Sequence, residues 1–214
     1  MCMLFGTSAD RKVELNRCMR SFFDYSKQHP HGWGMATYNS IEEGPVFMKE
    51  SKPAYLSELA NNLVNNSVLA KIAIAHIRYA TFGEVKYLNS HPFIDTIEGK
   101  PWIFAHNGSI KSPYLSDITR HPYGDTDSEK IFCYITDRLP SSNKFAEVTS
   151  SVEESIEKLA AHGKLNLLFS DGDNVFVHSN LKSSLYMYEF DGGVCFCTKP
   201  LDSVRDVRAW REVP

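Results

Sequence analysis

The sequence predicts an α+β fold in which two sheets stack on each other with helices outside. Two amphipathic helical patterns, at about 127–139 and 145–161, separate one set of strand patterns from another. The strands of the last quarter are punctuated by Asp171-Gly172-Asp173 and Asp191-Gly192-Gly193 turns. The length of 214 residues suits one good-sized core, and no repeat, linker or low-complexity segment interrupts it. Residues 1–214 therefore read as a single domain.

In chain order, Met1 to Thr7 reads as a short buried strand and Arg11 to Lys27 as a helix. Val13, Cys18, Met19, Phe22, Phe23 and Tyr25 fall mostly on one face of that helix, and His29-Pro30 stops it. His31 to Tyr38 runs into a strand, with Gly32 and Gly34 flanking Trp33. Pro45 to Glu50 reads as a returning strand, Leu56 to Val64 as a helix and Lys71 to Tyr79 as a buried strand. Asn89 to Phe93 reads as a loop and Trp102 to Ala105 as an apolar strand. Thr126 or Asp127 caps the next helix, with Glu129 in a capping box, and it runs to about Leu139. Phe145 to Ala161 is a second amphipathic helix, closed by Gly163. Strands at 165–169, 175–178, 185–190 and 194–198 complete the chain.

Composition excludes several classes. The formal net charge is −3, with no run of like charge, so no nucleic-acid surface is expected. No apolar stretch approaches a membrane span, and the first residues lack the pattern of a signal peptide. Five scattered cysteines, an odd number, argue against a disulfide framework and for a reducing cytoplasmic setting.

Four positions carry candidate chemistry. Cys2 follows Met1, and methionine aminopeptidase acts best before a small residue. With Met1 removed, the thiol and a free α-amine would share one Cα. The amine titrates at about 7.7–8.0, so it can serve as base to its own thiol. Taken alone, Cys2 reads first as a small hydrophobe at a strand start. Arg78 closes an apolar strand in Arg78-Tyr79-Ala80-Thr81, either as an ion-paired edge residue or as a fork for a carboxylate. Asn107-Gly108 offers an amide and a backbone N–H to one oxygen, as an oxyanion hole does; alone it reads first as a hairpin turn. Asp127 is explained by helix capping alone.

The order of these motifs carries more than each does separately. Cys2, Arg78-Tyr79-Ala80-Thr81, Asn89-Ser90-His91-Pro92, Phe104-Ala105-His106-Asn107-Gly108 and Thr126-Asp127-Ser128-Glu129 together resemble the class II glutamine amidotransferases. Asn166-Leu167-Leu168-Phe169-Ser170-Asp171-Gly172 fits as well, so the resemblance covers the full chain. It implies an N-terminal-nucleophile (Ntn) hydrolase fold, a four-layer α-β-β-α sandwich of two stacked, mainly antiparallel sheets. It implies Cys2 as nucleophile, its α-amine as base, and Asn107 with the Gly108 N–H as oxyanion hole. Arg78, helped by Thr81 and the loop at His91, would bind the substrate α-carboxylate, and Asp127 its ammonium. Trp33, between two glycines, is a further candidate for substrate contact. The substrate would be glutamine or a γ-glutamyl amide, with no cofactor and no metal, and a separate ammonia-accepting synthase as one partner. Phe82-Gly83 stands where larger members often have His-Gly, and the chain stops at Pro214, which points to the compact stand-alone branch. A catalytically silent glutamine-binding or scaffold subunit is the alternative. A metal site at His29, His31, His91, His106 or Cys195-x-Cys197 is the weaker one, since Cys-x-Cys lacks a matching pair and reads as strand packing.

Overall fold

The computed structural model describes residues 2–40, 43–142, 144–204 and 209–214. Met1, where the first strand was expected to begin, lies outside the described residues. In chain order the elements are β1 (Met3–Glu14), α1 (Asn16–Asp24), β2 (Trp33–Tyr38), β3 (Pro45–Glu50), α2 (Glu58–Asn65), β4 (Leu69–Ile77), β5 (Phe93–Ile97) and β6 (Lys100–Ile110). Then follow α3 (Asp127–Thr136), α4 (Phe145–Ala160), β7 (Gly163–Ser170), β8 (Val175–Ser179), β9 (Tyr186–Phe190), β10 (Gly193–Cys197) and β11 (Arg211–Glu212).

One sheet has seven strands in the order β11-β9-β10-β1-β4-β2-β3, the other four in the order β5-β6-β7-β8. The strand pairs are antiparallel. Alternation along each strand sorts the side chains into three cores. Met3, Phe5, Ala73, Ala75 and Ile77 face α1 and α2, packing with Phe22, Phe23 and Val64. Leu4, Ile72, Ile74, Ile103, Ala105 and Leu168 fill the space between the sheets. Phe104, Leu165, Leu167 and Phe169 face α3 and α4, packing with Ile131, Ile135 and Val152. The result is the four-layer α-β-β-α sandwich. The central strands are buried on both faces, which is why they read as near-continuous apolar runs.

Several boundaries differ from the sequence expectation. Residues 11–14 are strand: β1 resumes its pairing with β4 after a register shift, Val13 opposite Ala70 and Glu14 opposite Leu69. Arg11 bonds Asp191 in the β9–β10 turn at 2.7 Å instead of opening a helix. α1 begins only at Asn16, whose amide donates to the Val64 carbonyl at 2.9 Å. Asn107-Gly108 forms no turn; it lies inside β6, opposite Asn166 and Leu165. A side chain at Gly108 would collide with the Lys164 carbonyl, so glycine permits the close approach of β7. β5 begins at Phe93, the last residue of the expected loop, and pairs with β6 through a two-residue turn in which Glu98 and Gly99 both have positive φ. Thr126 caps α3 by accepting the Glu129 N–H at 3.2 Å. Glu129 completes no box; its carboxylate takes the N–H groups of Tyr123 and Gly124 at 2.9 and 2.7 Å. Among the described residues no helix is long and apolar enough to cross a membrane, and all five cysteines are free.

Gly34 in β2 lies beneath the His91-Pro92 segment, and a Cβ there would collide with the His91 carbonyl oxygen. Gly34→Ala is expected to destabilise the protein by about 1–3 kcal/mol through overpacking. The urea midpoint at pH 7 measures this, and an unchanged midpoint would mean that the 89–92 segment does not rest on β2.

Candidate active site

The site is built at one end of the two inner sheet faces. Met3 pairs with Ile77, which brings half-buried Cys2 to the end of β4. The Tyr79 N–H donates to the Cys2 Sγ at 3.3 Å, and the thiol lies 3.5 Å from the Tyr79 carbonyl. The approach to this corner is fixed by the chain before β2. The His31 N–H donates to the Arg78 carbonyl at 3.1 Å and the Arg78 N–H to the Gly32 carbonyl at 2.8 Å. His31 Nδ1 accepts the Ala80 N–H at 2.9 Å, and the Tyr79 ring lies 5.2 Å from the His31 ring. Burial pushes the Cys2 thiol pKa up; the Tyr79 backbone bond and the positive charges of Arg78 and Lys164 oppose that rise.

Arg78 is 3% exposed and its fork is held by the chain itself. Nη1 donates to the Glu84 carbonyl at 2.8 Å, and Nη2 to the carbonyls of Phe82 and Gly83 at 3.1 and 3.2 Å. Burial lowers the pKa of the guanidinium. The same loop is tied to the α3 N-terminus by Asn89, which donates to the Glu84 carbonyl at 2.9 Å and to Asp125 Oδ1 at 2.5 Å. Asn89 also accepts the Asp125 N–H at 3.1 Å. Gly83, at φ 73°, packs where a Cβ would meet Asp125 and Thr126.

Across the gap, Asn107 sits two residues after Ala105 on the inner face of β6. Its Nδ2 is buried without a hydrogen-bond partner. His106, on the other face, bonds Ser128 Oγ at 2.9 Å and so anchors the first turn of α3. Asp127 Oδ2 accepts the Ile110 N–H at 3.0 Å. Thr81, Phe82, Ser109, Ile110, Lys111, Leu115, Asp127 and Lys130 line a cavity of about 410 Å³, within the range of small-molecule sites.

Comparison with known proteins gives the family and the fold. The family described as glutamine amidotransferases class-II matches residues 1–189. The chain belongs to the class II glutamine amidotransferases. A Haemophilus influenzae protein, named only by inference as a glutamine amidotransferase, is 35% identical over 193 residues, which cover 83% of this chain and 63% of that protein. The chain thus spans less than two thirds of that relative. A Pseudomonas aeruginosa PA01 protein, solved at 2.0 Å and again named only by inference as a glutamine amidotransferase, is similar with TM-score 0.67 and 22% identity, covering 98% of this chain and 93% of that one. Glutamine phosphoribosylpyrophosphate amidotransferase from B. subtilis is similar with TM-score 0.67 and 19% identity, covering 97% of this chain and 44% of that one. At those identities the two structures speak for the fold, which is that of the Ntn hydrolases.

Within this class II amidotransferase, the structure places the expected residues unevenly. Thr81 and Asp127 share the cavity. Cys2 and Arg78 share the end of β1 and β4, and Asn107 with Gly108 stands on the facing sheet. Trp33 is a correction: it is fully buried against Phe23 at 5.1 Å between ring centroids, and its indole N–H donates to Glu50 at 3.1 Å. Its neighbours are glycines because Gly32 and Gly34 lie against the 90–92 segment, and strand alternation turns Trp33 the other way, toward the helices. His91 lies in the wall, 4% exposed, with its ring 4.1 Å from His76 and 4.5 Å from Phe93, and is not among the cavity residues. Cys195 and Cys197 pack in the core between sheet and helices, and among the described residues no three His, Cys, Asp or Glu are placed to hold a metal. Lys164 had no sequence signal, since a lysine at a strand start is ordinary, whereas Asn89 stands at the head of the Asn89-Ser90-His91-Pro92 motif.

Burial lowers the His76 pKa to about 3 and pushes that of His91 well below 6.5. Both imidazoles fold neutral, whereas the unfolded chain takes up their protons near pH 6.5. Their contribution to stability is complete above pH 6.5 and is lost as pH falls toward 3, at up to about 1.4 kcal/mol per pH unit for each ring. Unfolding midpoints taken from pH 7 to pH 4 are expected to fall, and to fall less steeply in His76→Phe; equal slopes in both proteins would contradict this.

Proposed function

We propose that this chain hydrolyses the γ-amide of glutamine or of a γ-glutamyl conjugate, with Cys2 as an N-terminal nucleophile, and that residues 1–214 act as one catalytic domain. The observation that carries the reading is the Cys2 sulfur held by the Tyr79 N–H, beside two cations, opposite a buried and unpartnered Asn107 amide. Removal of Met1 frees the Cys2 amine, which takes the thiol proton directly or through one water. The thiolate attacks the γ-carbonyl carbon, and the carbonyl π electrons move onto oxygen. Asn107 Nδ2–H and the Gly108 N–H receive that oxyanion. The C–N bond breaks as the ammonium form of the α-amine returns its proton to the leaving nitrogen. Water then attacks the glutamyl thioester, the amine takes its proton, and glutamate leaves as the thiol reforms. Asp127 takes the substrate ammonium through the oxygen not bonded to Ile110. The released ammonia passes to solvent or to a separate synthase, and the five free thiols fit a reducing cytoplasm.

The intact mass, before and after incubation with a glutamine-mimicking diazoketone, tests this. The reading expects a chain lacking Met1 that gains one adduct on Cys2, blocked by excess glutamine. No adduct on a Met1-free protein would exclude glutamine, and no hydrolysis of γ-glutamyl conjugates by the same protein would overturn the reading in favour of a silent glutamine-binding or scaffold subunit. Cys2→Ala is expected to fold and to release no glutamate. Asn107→Ala is expected to lower kcat by about 10²–10³ with a smaller change in KM, the effect of one lost oxyanion donor. A kcat within twofold of the unmodified enzyme would remove Asn107 from the hole.

A further inference from the structure

We infer that Lys49 is a positioning residue for the proposed site: its ammonium pins the 87–93 segment, and through that segment it sets the spacing between Arg78 and Asp127. The inference rests on the γ-glutamyl reading above and deepens it. Lys49 lies on β3, the edge strand of the seven-stranded sheet. Its neighbour Met48 packs toward the helices, so alternation turns Lys49 to the other face. Gly34 lies opposite Lys49 in the β2–β3 ladder, and a Cβ there would strike both the Lys49 stem and the His91 carbonyl oxygen. The glycine thus lets the lysine and the segment meet. Lys49 Nζ donates to the Ser90 carbonyl at 2.8 Å and lies 3.5 Å from the Pro92 carbonyl. It stands 4.9 Å from the Tyr87 ring centroid and 5.5 Å from that of Phe93, within cation–π range. All of these contacts come from one short segment, which wraps around a single ammonium.

The segment in turn holds the two groups that would read the substrate head group. Asn89, next to Ser90, donates to the Glu84 carbonyl at 2.9 Å and to Asp125 Oδ1 at 2.5 Å. The Glu84 carbonyl also takes Arg78 Nη1 at 2.8 Å, and Asp125 leads directly into the cap of α3, which begins at Asp127. A shift of Asn89 would therefore move the fork that the resemblance assigns to the α-carboxylate relative to the acid assigned to the α-ammonium. The ammonium is placed at a cost in stability. Among the described residues no carboxylate pairs with Lys49, since Glu129 spends its oxygens on the Tyr123 and Gly124 N–H groups. Burial lowers the Lys49 pKa to about 8, with the more distant Glu129 charge opposing. The unfolded chain holds that proton up to about pH 10.4, so at pH 7 the buried charge works against folding. An apolar side chain of the same length would serve stability better. What the ammonium adds is direction: its hydrogen bond and ring contacts allow one placement of the segment, where apolar packing allows several.

Urea unfolding at pH 7 and steady-state glutamate release from the Met1-processed enzyme, read together on Lys49→Met and Lys49→Arg, test the assignment. Lys49→Met keeps the stem and removes the charge. Its urea midpoint is expected to equal or exceed that of the unmodified protein. Its KM for glutamine, or for the γ-glutamyl conjugate the enzyme turns over, is expected to rise about tenfold, with kcat changed by less than about twofold. Lys49→Arg keeps a charge that the two rings attract, and the cavity of about 490 Å³ that Lys49 borders gives the longer side chain room. It is expected to bring KM back to within about threefold of the unmodified value. A Lys49→Met protein that has lost stability, or that binds substrate as tightly as the unmodified enzyme, overturns the inference alone. So does a Lys49→Arg enzyme with the KM of Lys49→Met. An unmodified enzyme that turns over neither glutamine nor γ-glutamyl conjugates, and takes no label on Cys2, overturns the γ-glutamyl reading and the inference with it.

Discussion

A buried guanidinium without a carboxylate beside it must be satisfied by backbone, and the architecture of the site follows from how Arg78 meets that demand. Its N–H groups collect three successive carbonyls of residues 82–84, which forces the chain after β4 to curl back over the strand end. Gly83 supplies the left-handed φ that the curl needs. Asn89 then bonds both that loop and Asp125, so the curl and the start of α3 become one hydrogen-bonded unit. Glu129 closes the unit from the helix side by holding the N–H groups of Tyr123 and Gly124. Thr81, Phe82, Asp127 and Lys130 reach a common cavity because this unit holds together.

The second constraint is the parity of the strands. Between the sheets the packing residues are Leu4, Ile74, Ala105 and Leu168. Two residues further along, where each sheet ends, the same faces carry Cys2, His76, Asn107 and Asn166. The inner core and the reactive end are therefore one surface whose composition changes from apolar to polar toward its rim. A one-residue slip of β1 would turn Cys2 toward the helices, so the Met3–Ile77 pairing fixes the face that Cys2 presents as well as the sheet. Gly34 and Gly108 serve the same end by letting the 91–92 segment and the Lys164 carbonyl come close to the strands.

These relations explain what could be read from the sequence. The helices at 127–136 and 145–160 and the buried strand at 69–77 follow from periodicity and caps, which are local. The Asn107-Gly108 dipeptide misleads as a turn because its strand state depends on Asn166 and Leu165, nearly sixty residues away. Arg11 to Glu14 mislead as helix because their pairing with β4 and the Asp191 contact are equally remote. Trp33 draws attention by its flanking glycines, yet those glycines serve the neighbouring segment and leave Trp33 in the core.

Burial sets the remaining tension. Enclosing Cys2 raises its thiol pKa, which disfavours the thiolate that the proposed chemistry needs. The enclosure also lowers the pKa of Arg78 and of Lys164, yet the Arg78 guanidinium stays protonated and continues to oppose the rise. The Tyr79 N–H helps in the same direction, and a backbone dipole has no proton to lose at these pH values. A base that travels with the nucleophile answers this tension. An amine on the Cys2 Cα remains at the rim with the half-buried residue, close to the thiol proton by covalent geometry alone. On this argument the thiol can stay protonated and sheltered until substrate arrives, and the proton moves only as the new bond forms.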